Sequence, residues 1–176
     1  MPYRRPPRLH DSCYVGANRV FLTMCTVERR DYFSDIARTK QIVEQLLRSA
    51  AHWGVEIIAY CFMPDHLHVL VEGMSEQADS RKFADAFRRV SGFHFKQARG
   101  RRLWQEGYYD HVLRDEEETI AVARYIVLNP VRAGLCADAS EYPLLGSTRY
   151  ALPELMTAVD WYPPSACGRR RDVALG

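Results

Sequence analysis

Val55–Glu72 reads VEIIAYCFMPDHLHVLVE, two apolar runs joined at a proline. Val55–Phe62 is rich in Val, Ile and aromatic residues, which suit a pleated, half-buried strand. Met63-Pro64-Asp65 interrupts it: proline cannot donate to a ladder, and aspartate favours local hydrogen bonding. His66–Glu72 then runs back as a second strand, so the stretch predicts an antiparallel hairpin. Side chains two apart on a strand share a face. Leu67, Val69 and Val71 therefore bury against whatever packs beneath, while His66 and His68 project together from the other face.

Working outward, Arg19–Val27 (RVFLTMCTV) predicts a strand before the hairpin. Between them, Asp35–Trp53 carries Ile36, Val43, Leu46, Leu47 and Ala50 near helical spacing, with Gly54 as a stop. After the hairpin, Ser80 to about Ala98 predicts a helix with Phe83, Phe87, Val90 and His94 on one face. Leu103–Leu113 predicts a fourth strand. Asp115-Glu116-Glu117-Glu118 opens a last helix, where carboxylates suit the positive helix end. The order β-α-β-β-α-β followed by a helix predicts an α+β, ferredoxin-like antiparallel sheet with an added C-terminal helix. Residues 1–13 are expected to be a flexible basic arm, 14–150 a single domain, and 151–176 a C-terminal tail.

With 176 residues, 47% of them hydrophobic, the chain fits one domain with a sizeable core. Five cysteines form no C-x-x-C pair and sit in apolar surroundings, which predicts reduced thiols in a cytoplasmic protein. The N-terminus lacks an apolar signal segment, and no apolar run approaches the ~18 residues of a membrane span. Net charge is only +2, but its distribution is lopsided. Residues 81–102 hold eight cations (Arg81, Lys82, Arg88, Arg89, Lys96, Arg99, Arg101 and Arg102) against Asp85 alone. A solvated helix face is the commoner fate of such a run. A nucleic-acid backbone laid along it would instead gain affinity by counterion release. Trp104, Tyr108 and Tyr109 are stacking platforms for unpaired bases or core residues.

Two imidazoles ~7 Å apart at the backbone can converge on one ion, although a hydrogen-bonded pair on a half-exposed sheet satisfies the same spacing. A histidine-triad hydrolase would need a third His at Leu70. A metallo-hydrolase of the H-x-H-x-D-H kind would need Asp at Leu70 and His at Val71. In the last helix Tyr125 and Asn129 lie four apart and share a face. Pro130 predicts that this helix ends or breaks at Asn129, with a short turn at Val131–Ala133. A phenol with a pKa near ~10 attacks poorly without a cation or base to assist it.

Phe62-Met63-Pro64-Asp65-His66-Leu67-His68-Val69-Leu70 resembles the His-hydrophobic-His strand of HUH single-tyrosine transposases, enzymes of the insertion-sequence type. Arg124-Tyr125-Ile126-Val127-Leu128-Asn129-Pro130-Val131-Arg132-Ala133-Gly134-Leu135 resembles their nucleophile helix and the turn after it. The nearest subgroup is the REP-associated tyrosine transposases, and the likeness spans roughly Arg19–Ser147. The resemblance implies His66, His68 and Asn129 as ligands of Mg2+ or Mn2+, and Tyr125 as the catalytic nucleophile. It further implies cleavage and rejoining of single-stranded DNA beside a hairpin from a palindromic repeat, through a 5′-phosphotyrosine, by a monomer in preference to a dimer. Asp65 stands where the family often has Asn, and with its side chain facing away it is expected to alter the turn and not the coordination. Leu144 stands where an aromatic is common. A non-catalytic single-stranded nucleic-acid-binding module on the same fold is the alternative, and a phosphohydrolase that activates water is a third reading.

Overall fold

The structure, a computed structural model, describes residues 10–114 and 116–160. Its five strands are β1 (Arg19–Cys25), β2 (Val55–Met63), β3 (His66–Gly73), β4 (Tyr109–Val112) and β5 (Leu145–Gly146). They form one antiparallel sheet in the order β4-β1-β3-β2-β5, so the expected ferredoxin-like sheet is present with a fifth strand added at one edge. Helices α1 (Ile36–His52) and α2 (Ser80–Arg99) cover one face. Helices α3 (Glu116–Arg132) and α4 (Leu152–Asp160) cover the other.

Strand alternation sorts the two cores. Val20, Leu22 and Met24 of β1 and Leu67, Val69 and Val71 of β3 are buried toward α1 and α2. Phe21 and Leu70 point the opposite way, toward Ala123, Ile126 and Val127 of α3. A bulge between Ile57 and Ala59 resets the alternation of β2, so that Ile58, Ala59, Cys61 and Met63 face α3. Asp35 caps α1 through the Arg38 amide, and Asp79 caps α2 through the amides of Arg81 and Lys82.

Several sequence expectations are corrected. The fourth strand occupies only Tyr109–Val112, because Gly107 turns the chain at φ 71° and separates it from Trp104, which bridges to Thr26. Trp104 and Tyr108 are core residues, 5% and 6% exposed, and so are not base-stacking platforms. On α2, Val90 lies on the exposed side, away from Phe83 and Phe87. Helix α3 does not stop at Asn129. It continues through a buried Pro130, which forfeits one backbone bond; the ladder resumes with Ala133 N–H to Asn129 O at 3.0 Å, and Gly134 at φ 70° ends it.

The last residues of the expected arm are docked: residues 11–14 form a 3-10 turn, and Tyr14 is buried. Residues 1–9 lie outside the described residues, as do Asp115 and residues 161–176. The tail expected from residue 151 begins with the packed helix α4, whose Leu155 and Val159 are buried. No helix among the described residues is long and apolar enough to cross a membrane.

Candidate active site

Register fixes the site. Thr23 of β1 lies opposite His68, and Cys25 opposite His66, so these side chains share the face covered by α3. The two imidazoles approach edge to face, and their Nε2 atoms are 3.1 Å apart. Each Nδ1 has an oxygen partner. His66 Nδ1 meets Asp65 Oδ1 at 2.6 Å, and His68 Nδ1 meets Thr23 Oγ1 at 2.8 Å. A carboxylate only accepts, so His66 donates from Nδ1 and its Nε2 lone pair faces inward.

Burial, followed by the proximity of His66 and Arg29, pushes the His68 imidazole down to about 3. His66 is also lowered, chiefly by burial, with Asp65 opposing. Both rings are thus neutral at physiological pH, the form that binds metals. Phe21 stacks on His68 with ring centroids 5.5 Å apart, giving the pair an apolar floor.

Helix α3 brings Tyr125 onto this pair. Its hydroxyl lies 3.5 Å from His68 Nε2, its ring packs edge-on to both His68 and Phe21, and Arg132 lies over it at 5.7 Å. Asn129 sits one turn further along, and its side-chain nitrogen is buried without a hydrogen-bond partner. The amide's N and O exchange places by a half-turn of the side chain, so this buried, unpartnered group can present its oxygen as a donor atom instead. Among the described residues no cluster of three or more His, Cys, Asp or Glu is placed to hold an ion. The two neutral imidazole nitrogens that face each other are donors of the kind that suit a divalent cation.

Residues 16–129 match the family described as Transposase IS200 like, a span that includes the histidine pair, Tyr125 and Asn129. The chain belongs to this family. A Haemophilus influenzae protein named as a REP-associated tyrosine transposase is 24% identical over 126 residues, which is 65% of this chain and 70% of that one. An uncharacterized Haemophilus influenzae protein is 23% identical over 160 residues, covering 73% of this transposase-family chain and 89% of its own length. A solved structure of a REP-associated tyrosine transposase bound to a REP hairpin has 21% identity and a TM-score of 0.67. It covers 100% of this chain and 96% of that one. This likeness confirms the fold.

The basic residues of the 81–102 run divide in two. Arg88, Arg89, Lys96 and Arg102 line one groove of about 320 Å³ with Asp85, Gly92, Leu103 and Trp104. Lys82 pairs instead with Asp79 at 3.2 Å, Arg99 reaches Asp35 at 3.9 Å, and Arg81 and Arg101 do not line the groove. The groove lies on the α1/α2 face. Its Leu103–Trp104 rim is nevertheless tied to the end of the sheet that carries His66: Val27 N–H donates to Leu103 O, and Thr26 N–H donates to Asp65 O, both at 2.9 Å.

Three site residues escape sequence reasoning. Asp65 is expected in the turn with its side chain facing away, but it reaches His66 because alternation does not govern a residue outside the strand. Arg29 grips the other Asp65 oxygen at 2.7 Å. Thr23 carries no signal in the sequence, since only strand register places it on His68.

Proposed function

We propose that this transposase-family protein cleaves and rejoins single-stranded DNA through a 5′-phosphotyrosine at Tyr125. The observation that carries the reading is the Tyr125 hydroxyl lying 3.5 Å from Nε2 of His68, inside the cluster that the histidine pair forms. A packing tyrosine would turn its hydroxyl to a backbone carbonyl or to solvent. Here it meets neutral nitrogen donors suited to a cation.

His66, His68 and Asn129 would hold Mg2+ or Mn2+, and the ion would supply electrostatic stabilisation of the phosphodiester and the leaving oxygen. Phe21 and the sheet beneath exclude water from one side of the pair. Tyr125 supplies the nucleophile. Its phenolic oxygen bonds to phosphorus while the bond from phosphorus to the 3′ oxygen breaks, and the phenolic proton passes through solvent to the departing hydroxyl. The reverse attack by a 3′ hydroxyl rejoins a strand and releases Tyr125.

The chain's own α3 reaches its own histidines, which favours a monomer as the working unit. The groove lined by Arg88, Arg89, Lys96 and Arg102 would hold phosphates of a palindromic DNA hairpin, in keeping with the hairpin carried by the structural relative.

The test is a labelled single-stranded hairpin with a 3′ extension, incubated with Mg2+ or Mn2+. A denaturation-resistant protein–DNA adduct is expected, abolished by chelator and in Tyr125→Phe. Salt-sensitive binding indifferent to both would instead favour a non-catalytic binding module. A free 5′ phosphate formed without an adduct would favour a water-activating hydrolase.

A further inference from the structure

Two side chains, Asp65 and Thr23, meet the Nδ1 atoms of the two imidazoles, and Arg29 and Thr26 hold Asp65 from behind. Glu28 and Arg29 both adopt left-handed backbone, at φ 55° and 54°, although neither is glycine. Such a conformation is disfavoured for residues with a Cβ and persists only where its surroundings enforce it. Here the enforcement is visible. Fully buried Thr26 donates its hydroxyl toward both Arg30 O at 2.7 Å and Asp65 O at 3.0 Å, and its N–H also donates to Asp65 O. The strained turn places Arg29 Nε 2.7 Å from Asp65 Oδ2, and Arg29 also donates to Cys25 Sγ. Asp65 is thus held from one side by a cation, and its remaining oxygen bonds His66 Nδ1.

We infer that Asp65, braced by Arg29, and Thr23 are positioning residues that set the ring tautomers of His66 and His68. Asp65 fixes one tautomer, while Thr23 allows the other to change. This rests on the metal-site reading above. The asymmetry follows from donor chemistry. A carboxylate only accepts, so His66 always carries its proton on Nδ1 and presents a bare Nε2. Two bare nitrogens 3.1 Å apart repel. Without a cation, His68 therefore carries its proton on Nε2, donates to His66 and accepts the Thr23 hydroxyl proton at Nδ1. For both Nε2 atoms to serve as ligands, His68 would have to carry its proton on Nδ1, where the Thr23 hydroxyl would turn to accept it. A hydroxyl performs both roles and a carboxylate cannot. The proton relocates by exchange with solvent, so cation binding at neutral pH releases none from the pair.

The experiment uses full-length protein and Mn2+ alone as the probe. Nitrogen NMR of the rings at pH 7.5, first with chelator, reads the tautomers directly. Free-Mn2+ electron paramagnetic resonance then gives the affinity. Expected are an Nδ1–H tautomer on His66 and an Nε2–H tautomer on His68, the latter converting to Nδ1–H on saturation with a diamagnetic divalent ion. Asp65→Ala should mix the His66 tautomers and weaken Mn2+ by about 10- to 100-fold, the usual effect of losing a partner behind a ligand. Asp65→Asn, which retains an accepting oxygen, should restore the tautomer and most of the affinity. Thr23→Ser should bind like the wild type, and Thr23→Val should not. Arg29→Ala should keep the His66 tautomer and weaken Mn2+ by a smaller factor, a readout that survives if Asp65→Ala fails to fold. An Nε2–H tautomer on His66 of the wild type overturns the inference. So do folded Asp65→Ala and Thr23→Val proteins that bind Mn2+ within about twofold of wild type. A wild type that binds no Mn2+ sinks the metal-site reading, while the ring spectra still decide the roles of Asp65 and Thr23.

Discussion

Acid should destabilise this protein most strongly through the buried His68 imidazole. His68 is 4% exposed, and burial followed by the neighbouring His66 holds its ring down to about 3 in the folded state. In the unfolded chain the same ring takes a proton near pH ~6.5. Between those values the unfolded state binds more protons, so stability falls as pH drops through about 6.5 and is fully present above it. Each pH unit in that window costs about 1.4 kcal/mol, which makes the loss about 2 kcal/mol by pH 5. Urea unfolding in chelator at pH 7.5, 6.5, 5.5 and 5.0 should show this loss in wild type. His68→Gln, which keeps a polar partner for Thr23 but cannot titrate, should lose about 2 kcal/mol less over the same range. Parallel curves for the two proteins would refute the reasoning, because the acid sensitivity would then belong to other groups.

Gly73→Ala should be among the most damaging single changes, costing several kcal/mol or preventing folding. A Cβ there would lie 1.9 Å from the Gly16 backbone oxygen, and thermal melting checks the effect. In the groove, Arg89→Ala combined with Lys96→Ala should weaken hairpin binding and lower the slope of log affinity against log salt by about 0.9 for each phosphate no longer neutralised. Fluorescence anisotropy across a salt series reads both quantities. The same pair of changes should leave the melting temperature nearly unaltered, since both side chains are exposed.

Much of the fold was legible because the informative signals were local. The alternation in His66–Glu72 placed three apolar side chains on one face and two histidines on the other, and the sheet obeys it. The order of elements sufficed for the ferredoxin-like arrangement. Legibility failed where tertiary context outweighed local preference. Pro130 is tolerated because α3 is pinned by Ile126 and Val127, both fully buried, so the helix keeps its course despite the missing donor. Trp104 reads as part of a strand, yet its indole donates to Ser91 within the core. Of the site, the histidines and Tyr125 could be nominated from the sequence and are brought together by the fold. Asp65, Arg29 and Thr23 could not be nominated. Their roles depend on strand register and on a strained turn that leaves no compositional mark.

Peptide mapping of the protein–DNA adduct identifies the residue that carries the DNA. Trypsin should release residues 125–132 as one peptide, since Arg124 and Arg132 bound it. After nuclease trimming, that peptide should gain the mass of one 5′-phosphorylated nucleotide, with fragmentation placing it on Tyr125. A nucleotide found on any other tyrosine, or cleavage of the hairpin with every peptide unmodified, would contradict it.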